Sequence, residues 1–433
     1  MQKKIPLVIG YGITGKSLIQ YLSENHNELI LVEDTVDKLN LEEFDKLGLN
    51  IQVNPVIDDK LLDKVSEIFS SPGIPTDHVL FNLASKHKIR ISSDIEIFIN
   101  GNQCFKILVT GTNGKTSTSL ILSKLFQSYF PNLYIKTLGN IGEPVLGYLK
   151  ENLDIAIIEV SSFQLELLEH VKFDLGVLLN ISQDHLDRHL DFQKYKQLKY
   201  LVLKNASLGI SFQSKRSFQN NNRNYNDIIF SDELLKSKVF EHWPEHDMQN
   251  LKASLATFLV YCENFSIDPP NDDEVLPFLE RALKDFEKPS HRFEILEANN
   301  GTNFINDSKA TNFDAMLNAI KAADNLKKDG DIYLICGGDL KNQNLKDSDL
   351  QLIAKVKKAI IYGKDKLILE SSLRKFTNCL LAYDLEDATK IAIKESKVND
   401  YVLLSPACSS LDMFQDYVDR GNEFKKLVNN LNK

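Results

Sequence analysis

The sequence predicts an α/β protein built in three blocks, and three observations carry that prediction. Short apolar runs of strand length alternate with amphipathic helical segments along almost the whole chain, the pattern of parallel sheets covered by helices. Two of these runs end in glycine loops that open helices, at 10–15 and at 111–114. A chain of 433 residues also exceeds one ordinary core and points to two to four domains. Polar breaks place the divisions near 98 and 288, giving blocks 1–98, 99–288 and 289–433. The asparagine-rich stretch Gln213–Asp227 reads as a surface loop, and Ser266–Glu274 as a polar linker before the third block. No repeat of solenoid length is present.

Composition excludes several classes. With 43% apolar and 26% charged residues the chain has the balance of a soluble globular protein, and no apolar stretch is long enough to cross a bilayer. The opening MQKKIPLVIGYG reads as a first strand and not as a signal peptide. Five scattered cysteines without a CxxC pair predict a reducing compartment, the cytoplasm, with neither a disulfide framework nor a zinc site. A net charge of −9 argues against a nucleic-acid partner. It also poses a problem, because an acidic protein that binds a polyanion must attract it locally.

In the first block, Gly10-Tyr11-Gly12-Ile13-Thr14-Gly15 follows the strand IPLVI, and the strand LILVEDT then delivers Glu33 and Asp34. The spacing fits a dinucleotide fingerprint. A glycine turn at a helix N-terminus accepts any diphosphate, however, including that of a UDP-sugar, and a turn that merely permits close helix packing remains open. SSPGIP follows the strand VSEIF, so Ser71 and Gly73 could line the same ligand.

The second block holds FKILVTGTNGKT (Phe105–Thr116), a buried strand, a glycine loop and the start of a helix. Gly111 and Gly114 allow backbone N–H groups to face phosphate oxygens, Lys115 adds a point charge, and the Thr116 hydroxyl suits Mg²⁺. Gly111, Thr112, Asn113, Gly114, Lys115, Thr116 and Ser117 are therefore the candidate nucleotide cradle. Two residues separate the glycines where the common P-loop has four, which favours amide-forming ligases over GTPases or helicases. Three further segments belong with it. LGNIGEP presents Asn140. DIAIIEVSSFQLE delivers Glu159 at a strand end, followed by Ser161 and Ser162. GVLLNISQDHLDRH delivers Asn180, Asp184, His185, Asp187 and Arg188. Glu159 suits Mg²⁺ or a solvated strand end equally well by itself. The lysines of FQKYKQLKYLVLK (Lys194, Lys196, Lys199 and Lys204) read, residue by residue, as a solvated basic face.

Together TGTNGKT, EVSSFQLE and NISQDHLDRH resemble the Mur ligase family of bacterial cell-wall synthesis. So do HRFE (His291–Glu294), NDSKATN (Asn306–Asn312), CGGDLK (Cys336–Lys341) and SPACSSLDMFQDYVDRGNEF (Ser405–Phe424). The resemblance covers essentially the whole chain. It implies a Rossmann-like N-terminal domain for a UDP-sugar, a central P-loop ATPase domain with a mostly parallel sheet, and a Rossmann-like C-terminal domain for the amino acid. Within the family, the segments match best the branch that adds D-glutamate to UDP-N-acetylmuramoyl-L-alanine. The implied chemistry is ATP-driven formation of an acyl phosphate, then attack by the amine.

The resemblance also implies roles. Lys115 would sit on the β- and γ-phosphates, and Thr116 and Glu159 on one Mg²⁺. Glu159, His185 and a carbamylated Lys199, formed with CO₂, would hold a second. Asn250, Arg292 and Asp307 would contact ATP, with Lys309 near the phosphates. Lys341, Thr311 and Ser410 would bind D-glutamate, with Tyr417 as a wall. Ile13, Thr14, Thr35, Ser71, Gly73, Asn140 and Ser161 would serve the sugar nucleotide or its reacting end. A monomer is expected. Two departures stand out: His246-Asp247 where the family has His-Asn, and Val36 where it often has arginine. A related ligase such as a folate polyglutamate synthetase, a nicotinamide-dependent dehydrogenase resting on GYGITG, and a non-catalytic nucleotide switch are the competing readings. The last two leave, respectively, GTNGKT and the assembled metal ligands unexplained.

Overall fold

A computed structural model describes residues 4–35, 39, 41–141, 143–212, 237, 239–241, 243–296, 301–327, 329–343 and 349–430. Val36 and the stretch Gln213–Asp227 lie outside the described residues. Three sheets follow one another along the chain. The first comprises β1 (Ile5–Ile9), β2 (Glu28–Val32), β3 (Asn50–Val53), β4 (Val65–Ser70) and β5 (Ile91–Ser92). It is wholly parallel in the order β3-β2-β1-β4-β5. The second comprises β6 (Phe105–Thr110), β7 (Ile135–Gly139), β8 (Ile155–Glu159), β9 (Phe173–Leu178) and β10 (Ala206–Ser211), also parallel, in the order β10-β9-β6-β8-β7. The third comprises β11 (Glu294–Leu296), β12 (Asn303–Asn306), β13 (Ile332–Gly337), β14 (Val356–Tyr362), β15 (Asn378–Leu381) and β16 (Tyr401–Leu404). Its order is β11-β12-β16-β13-β14-β15, with only β11 antiparallel.

The central strands β6, β8 and β9 of the second sheet are buried on both faces, which explains why they read as near-continuous apolar runs. One face packs Ile107, Val109, Ile157 and Val177 against the helices Lys115–Tyr129, Glu245–Asn264 and Asp272–Leu283. The other face brings Leu108, Ala156 and Ile158 into one core with Val8, Leu18 and Phe69 of the first sheet's layer. The helix Asp94–Gly101 joins them, burying Ile95, Phe98 and Ile99 in that shared core. This shared apolar core joins the layers of the first two sheets.

The polar stretch before the third block is shorter than expected. Asn271 caps the helix Asp272–Leu283 through a reciprocal capping box with Glu274, so the stretch ends in an ordered helix start. Among the described residues, no helix is long and apolar enough to cross a membrane.

Candidate active site

The strand register of the second sheet decides where its loops meet. Val109 of β6 pairs with Glu159 of β8, and Thr110 with Leu178 of β9. The segments that follow these three strands therefore leave the same carboxyl edge, at the point where crossovers diverge to either side of β6. They are the glycine loop, the Ser161 turn and the Asn180–His185 loop. A cavity of about 660 Å³ opens there, and residues from all three sheets' layers line it.

The glycine loop is held from two sides. Asn180 accepts the Asn113 N–H at 2.8 Å and donates to the Asn113 carbonyl at 3.0 Å. Gly114, at φ +83°, caps the helix Lys115–Tyr129, and a Cβ on it would stand 2.1 Å from Asn250 Oδ1. Only glycine fits that left-handed turn against the amide. Lys115 Nζ donates to the Gly111 and Thr112 carbonyls at 2.9 and 2.8 Å. Thr116 Oγ1 donates to Glu159 Oε2 at 2.7 Å, and Asn140 donates to Glu159 Oε1 at 2.9 Å. Burial would raise the Glu159 carboxyl, but Lys115 and these two bonds hold it below the ordinary range, so it is ionised.

Lys199 corrects the residue-by-residue reading of its helix as a solvated basic face. The side chain is 1% exposed, its Nζ 3.3 Å from Thr110 Oγ1. Among the described residues no carboxylate lies within ion-pair distance of it, and burial carries its pKa well below that of an ordinary lysine. His185, at a strained φ of +54°, is driven to about 3 by burial, so its imidazole is neutral.

The third sheet's layer closes over this edge. Arg292 donates to Thr116 Oγ1 at 2.7 Å. Asn113 donates to Asp314 Oδ2 at 2.8 Å, and Asn312 donates to Asn113 Oδ1 at 3.0 Å and Asp184 Oδ2 at 3.2 Å. Lys341, also in the left-handed region, reaches Asp184 Oδ1 at 3.1 Å. Burial would raise Asp184, yet the Lys341 charge and the hydrogen bonds from Lys341 and Asn312 hold it at about 2. Lys309 lies 3.9 Å above the Tyr417 ring, and burial, reinforced by Arg292 and Lys115, lowers it to about 7. Asp307 accepts from Ser405 Oγ and the Phe293 N–H, and burial raises it to about 7.

Of the residues expected from sequence, the cavity gathers Thr112, Asn113, Gly114, Lys115, Thr116, Ser117, Asn140, Glu159, Ser161, His185, Lys199 and Asn250 from the central layer. It gathers Arg292, Asp307, Lys309, Thr311, Lys341, Ser410 and Tyr417 from the third, and Gly73 from the first. Ile13, Thr14, Thr35, Ser71 and Gly111 do not line it. Gly111 contributes its carbonyl to Lys115, and Ser71 Oγ donates to the Gly10 carbonyl, fastening two loops of the first sheet. Ile13 and Thr14 open the helix Ile13–Ser23, where the Gly12 cap leaves N–H groups without a side-chain partner. Thr35 donates its N–H to Glu33. Asp247 lines the cavity and is paired with Lys288 at 2.5 Å. Sequence reading passed over the roles of Asn312, Asp314 and Asp184. The last was visible as the acid beside His185, but its partner Lys341 stands 157 residues away.

Three family profiles match in chain order: "Mur ligase MurD-like, N-terminal domain" over 4–93, "Mur ligase middle domain" over 109–239, and "Mur ligase, glutamate ligase domain" over 291–408. A UDP-N-acetylmuramoylalanine–D-glutamate ligase of Protochlamydia amoebophila is 32% identical over 98% of each chain. The chain belongs to the Mur ligase family. A protein of the same name from Francisella philomiragia is 31% identical over 98% of this chain and 96% of its own. The Mur ligase fold recurs in a pseudomurein peptide ligase type C of Methanothermus fervidus, with a TM-score of 0.54, 16% identity and coverage of 99% and 100% of the two chains. As a Mur ligase the chain uses ATP, the function for which a strand, glycine loop and helix of this spacing are built.

Proposed function

We propose that this chain is the ATP-dependent ligase that joins D-glutamate to UDP-N-acetylmuramoyl-L-alanine, in the cytoplasm and as a monomer, in peptidoglycan precursor synthesis. The observation that carries the reading is that the glycine loop, buried Lys199 and the cations of the third layer face one another across one shared cavity. Full-length relatives at 31–33% identity that bear this activity in their names support it. On this reading residues 1–98 take the sugar nucleotide, 99–288 the ATP and 289–433 the amino acid.

The donor set fits Mg²⁺ on chemistry visible in the side chains. Thr116 and ionised Glu159 offer hard oxygens, and His185 offers a neutral nitrogen. Lys199, buried with its amine held toward the neutral form, is suited to capture CO₂ and become an oxygen donor. Thr116, Glu159, His185 and the Lys199 carbamate would hold the two ions, with the Lys199 modification resting on family resemblance and burial together. Mg²⁺, when bound, screens the phosphate charges from one another.

The protein's own part is positioning and shielding. Lys115 neutralises the β- and γ-phosphates, and Arg292 and Lys309 shield the transferred phosphoryl group as the substrate carboxylate attacks it. Asn250 and Asp307 orient the nucleoside. Lys341, Thr311 and Ser410 fix the carboxylates of D-glutamate so that its amine meets the acyl carbon, and phosphate leaves. Closure of the third layer over the loop keeps water from the acyl phosphate.

The test is phosphate release from Mg-ATP with the sugar nucleotide, with D- and L-glutamate in separate runs. Release that needs both the sugar nucleotide and D-glutamate, with the amide product seen by mass, is expected. Release with L-glutamate alone, or none with this sugar nucleotide, would overturn the assignment.

A further inference from the structure

Arg188 is used by nothing in the chemistry above, yet its guanidinium joins three carbonyls of the first layer to the central one. It lies in the short helix Leu186–His189 that follows His185, and its side chain is 12% exposed. One nitrogen donates to the Gly73 carbonyl at 3.0 Å. The other reaches the carbonyls of Ile74 at 2.8 Å and Pro72 at 3.4 Å and Glu166 Oε2 at 2.6 Å. The guanidinium also lies 4.7 Å above the ring of Phe163, whose edge meets the His185 ring at 4.8 Å. Glu166 is fixed in turn by buried His189 at 3.2 Å. A planar five-donor fork can gather three successive carbonyls and a carboxylate at once, and an ammonium cannot.

We propose that Arg188 is a positioning residue that seats the first domain's loop 72–74 on the rim of the active-site cavity, in register with His185. Pro72 and Gly73 line that cavity alongside His185 and Lys199. Loop 72–74 has no strand partner there; Ile74 packs on the first sheet's core, and the three carbonyls accept from Arg188, which ties the loop to the central layer. A sugar nucleotide held by the first domain must bring its carboxylate to the phosphoryl group across this seam. Arg188 therefore sets affinity and reach for that substrate and leaves ATP binding alone. The kinetic half of the inference rests on the proposed ligase function; the structural half does not.

The experiment compares Arg188→Ala and Arg188→Lys with the unaltered chain in steady-state kinetics and in amide hydrogen exchange of the segment 70–78. The expected result for Arg188→Ala is at least a ten-fold higher KM for UDP-N-acetylmuramoyl-L-alanine, with KM for ATP within two-fold, and at least ten-fold faster exchange in that segment. Arg188→Lys, which keeps the Glu166 pair but not the carbonyl fork, should recover only part of both, and added guanidinium ion should restore Arg188→Ala further. Unchanged exchange in 70–78 would overturn the proposal. So would an equal rise in KM for both substrates with Arg188→Lys no better than alanine, since that is the signature of general loosening. Absence of ligation by the unaltered chain would instead refute the proposed function, and the exchange measurement would still decide the role of Arg188.

Discussion

Gly114→Ala probes whether the glycine loop is held in shape by Asn250. At φ +83° an alanine enters the left-handed region, at a cost of roughly 1–2 kcal/mol. Its Cβ would stand 2.1 Å from Asn250 Oδ1, so the amide must leave its rotamer, adding about 0.5–1.5 kcal/mol. The sum is about 1.5–3.5 kcal/mol, measured as the shift in urea unfolding. In an Asn250→Ala background the second contribution disappears, so the double-mutant cycle should return a coupling of about 1 kcal/mol. Gly147→Ala, whose added carbon meets nothing within 4 Å, should stay within about 0.5 kcal/mol. Calorimetric ATP affinity should fall at least roughly ten-fold in Gly114→Ala, because the loop's N–H groups and Asn250 are displaced together. Zero coupling with unchanged ATP affinity would refute the reasoning.

Three further outcomes are expected. Lys115→Ala should fold normally, since it removes a desolvated ammonium whose hydrogen bonds are to two carbonyls, while phosphate release falls at least roughly a thousand-fold; ordinary turnover would sink the assignment of the loop. Activity should decline when CO₂ is stripped from buffers and return with bicarbonate, and ¹³C-bicarbonate should give a carbamate resonance that Lys199→Gln lacks; a resonance surviving that substitution would place the carbamate elsewhere. Asp94 is 3% exposed, with Oδ1 unpartnered, and burial raises it from 3.8 to about 6. A raised acid contributes its stability fully below pH 3.8 and loses it as pH rises through about 6, at about 1.4 kcal/mol per unit or roughly 3 kcal/mol in all. Asp94→Asn should flatten that fall between pH 4 and 8 in urea titrations, and parallel curves for the two proteins would contradict it.

What could be read from sequence was whatever is local along the chain. Glu159 and the 180–185 loop could be assigned to one edge because neighbouring parallel strands release their following loops at the same end, and the register pairs Val109 with Glu159 and Thr110 with Leu178. Lys199 could not be placed by pattern. A lysine on a helix with three other lysines looks solvated, and only the packing that leaves it 1% exposed reveals the reverse. Asp184 and Lys341, or Arg188 and the 72–74 carbonyls, were equally hidden, because their partners stand more than a hundred residues apart.

Those long-range pairs also answer how a chain of net charge −9 can draw in a polyanion. Lys115, Arg292, Lys309 and Lys341 come from separate elements and meet in one cavity. Burial first, and then their mutual repulsion, depresses the pKa values of Lys115 and Lys309. Closing the third layer over the loop thus works against like charges, offset here by Asp184 on Lys341 and by the asparagine contacts across the seam. Phosphate oxygens entering among these cations would convert that repulsion into attraction. Nucleotide binding and closure should therefore favour one another, and linkage requires each to strengthen the other by the same factor.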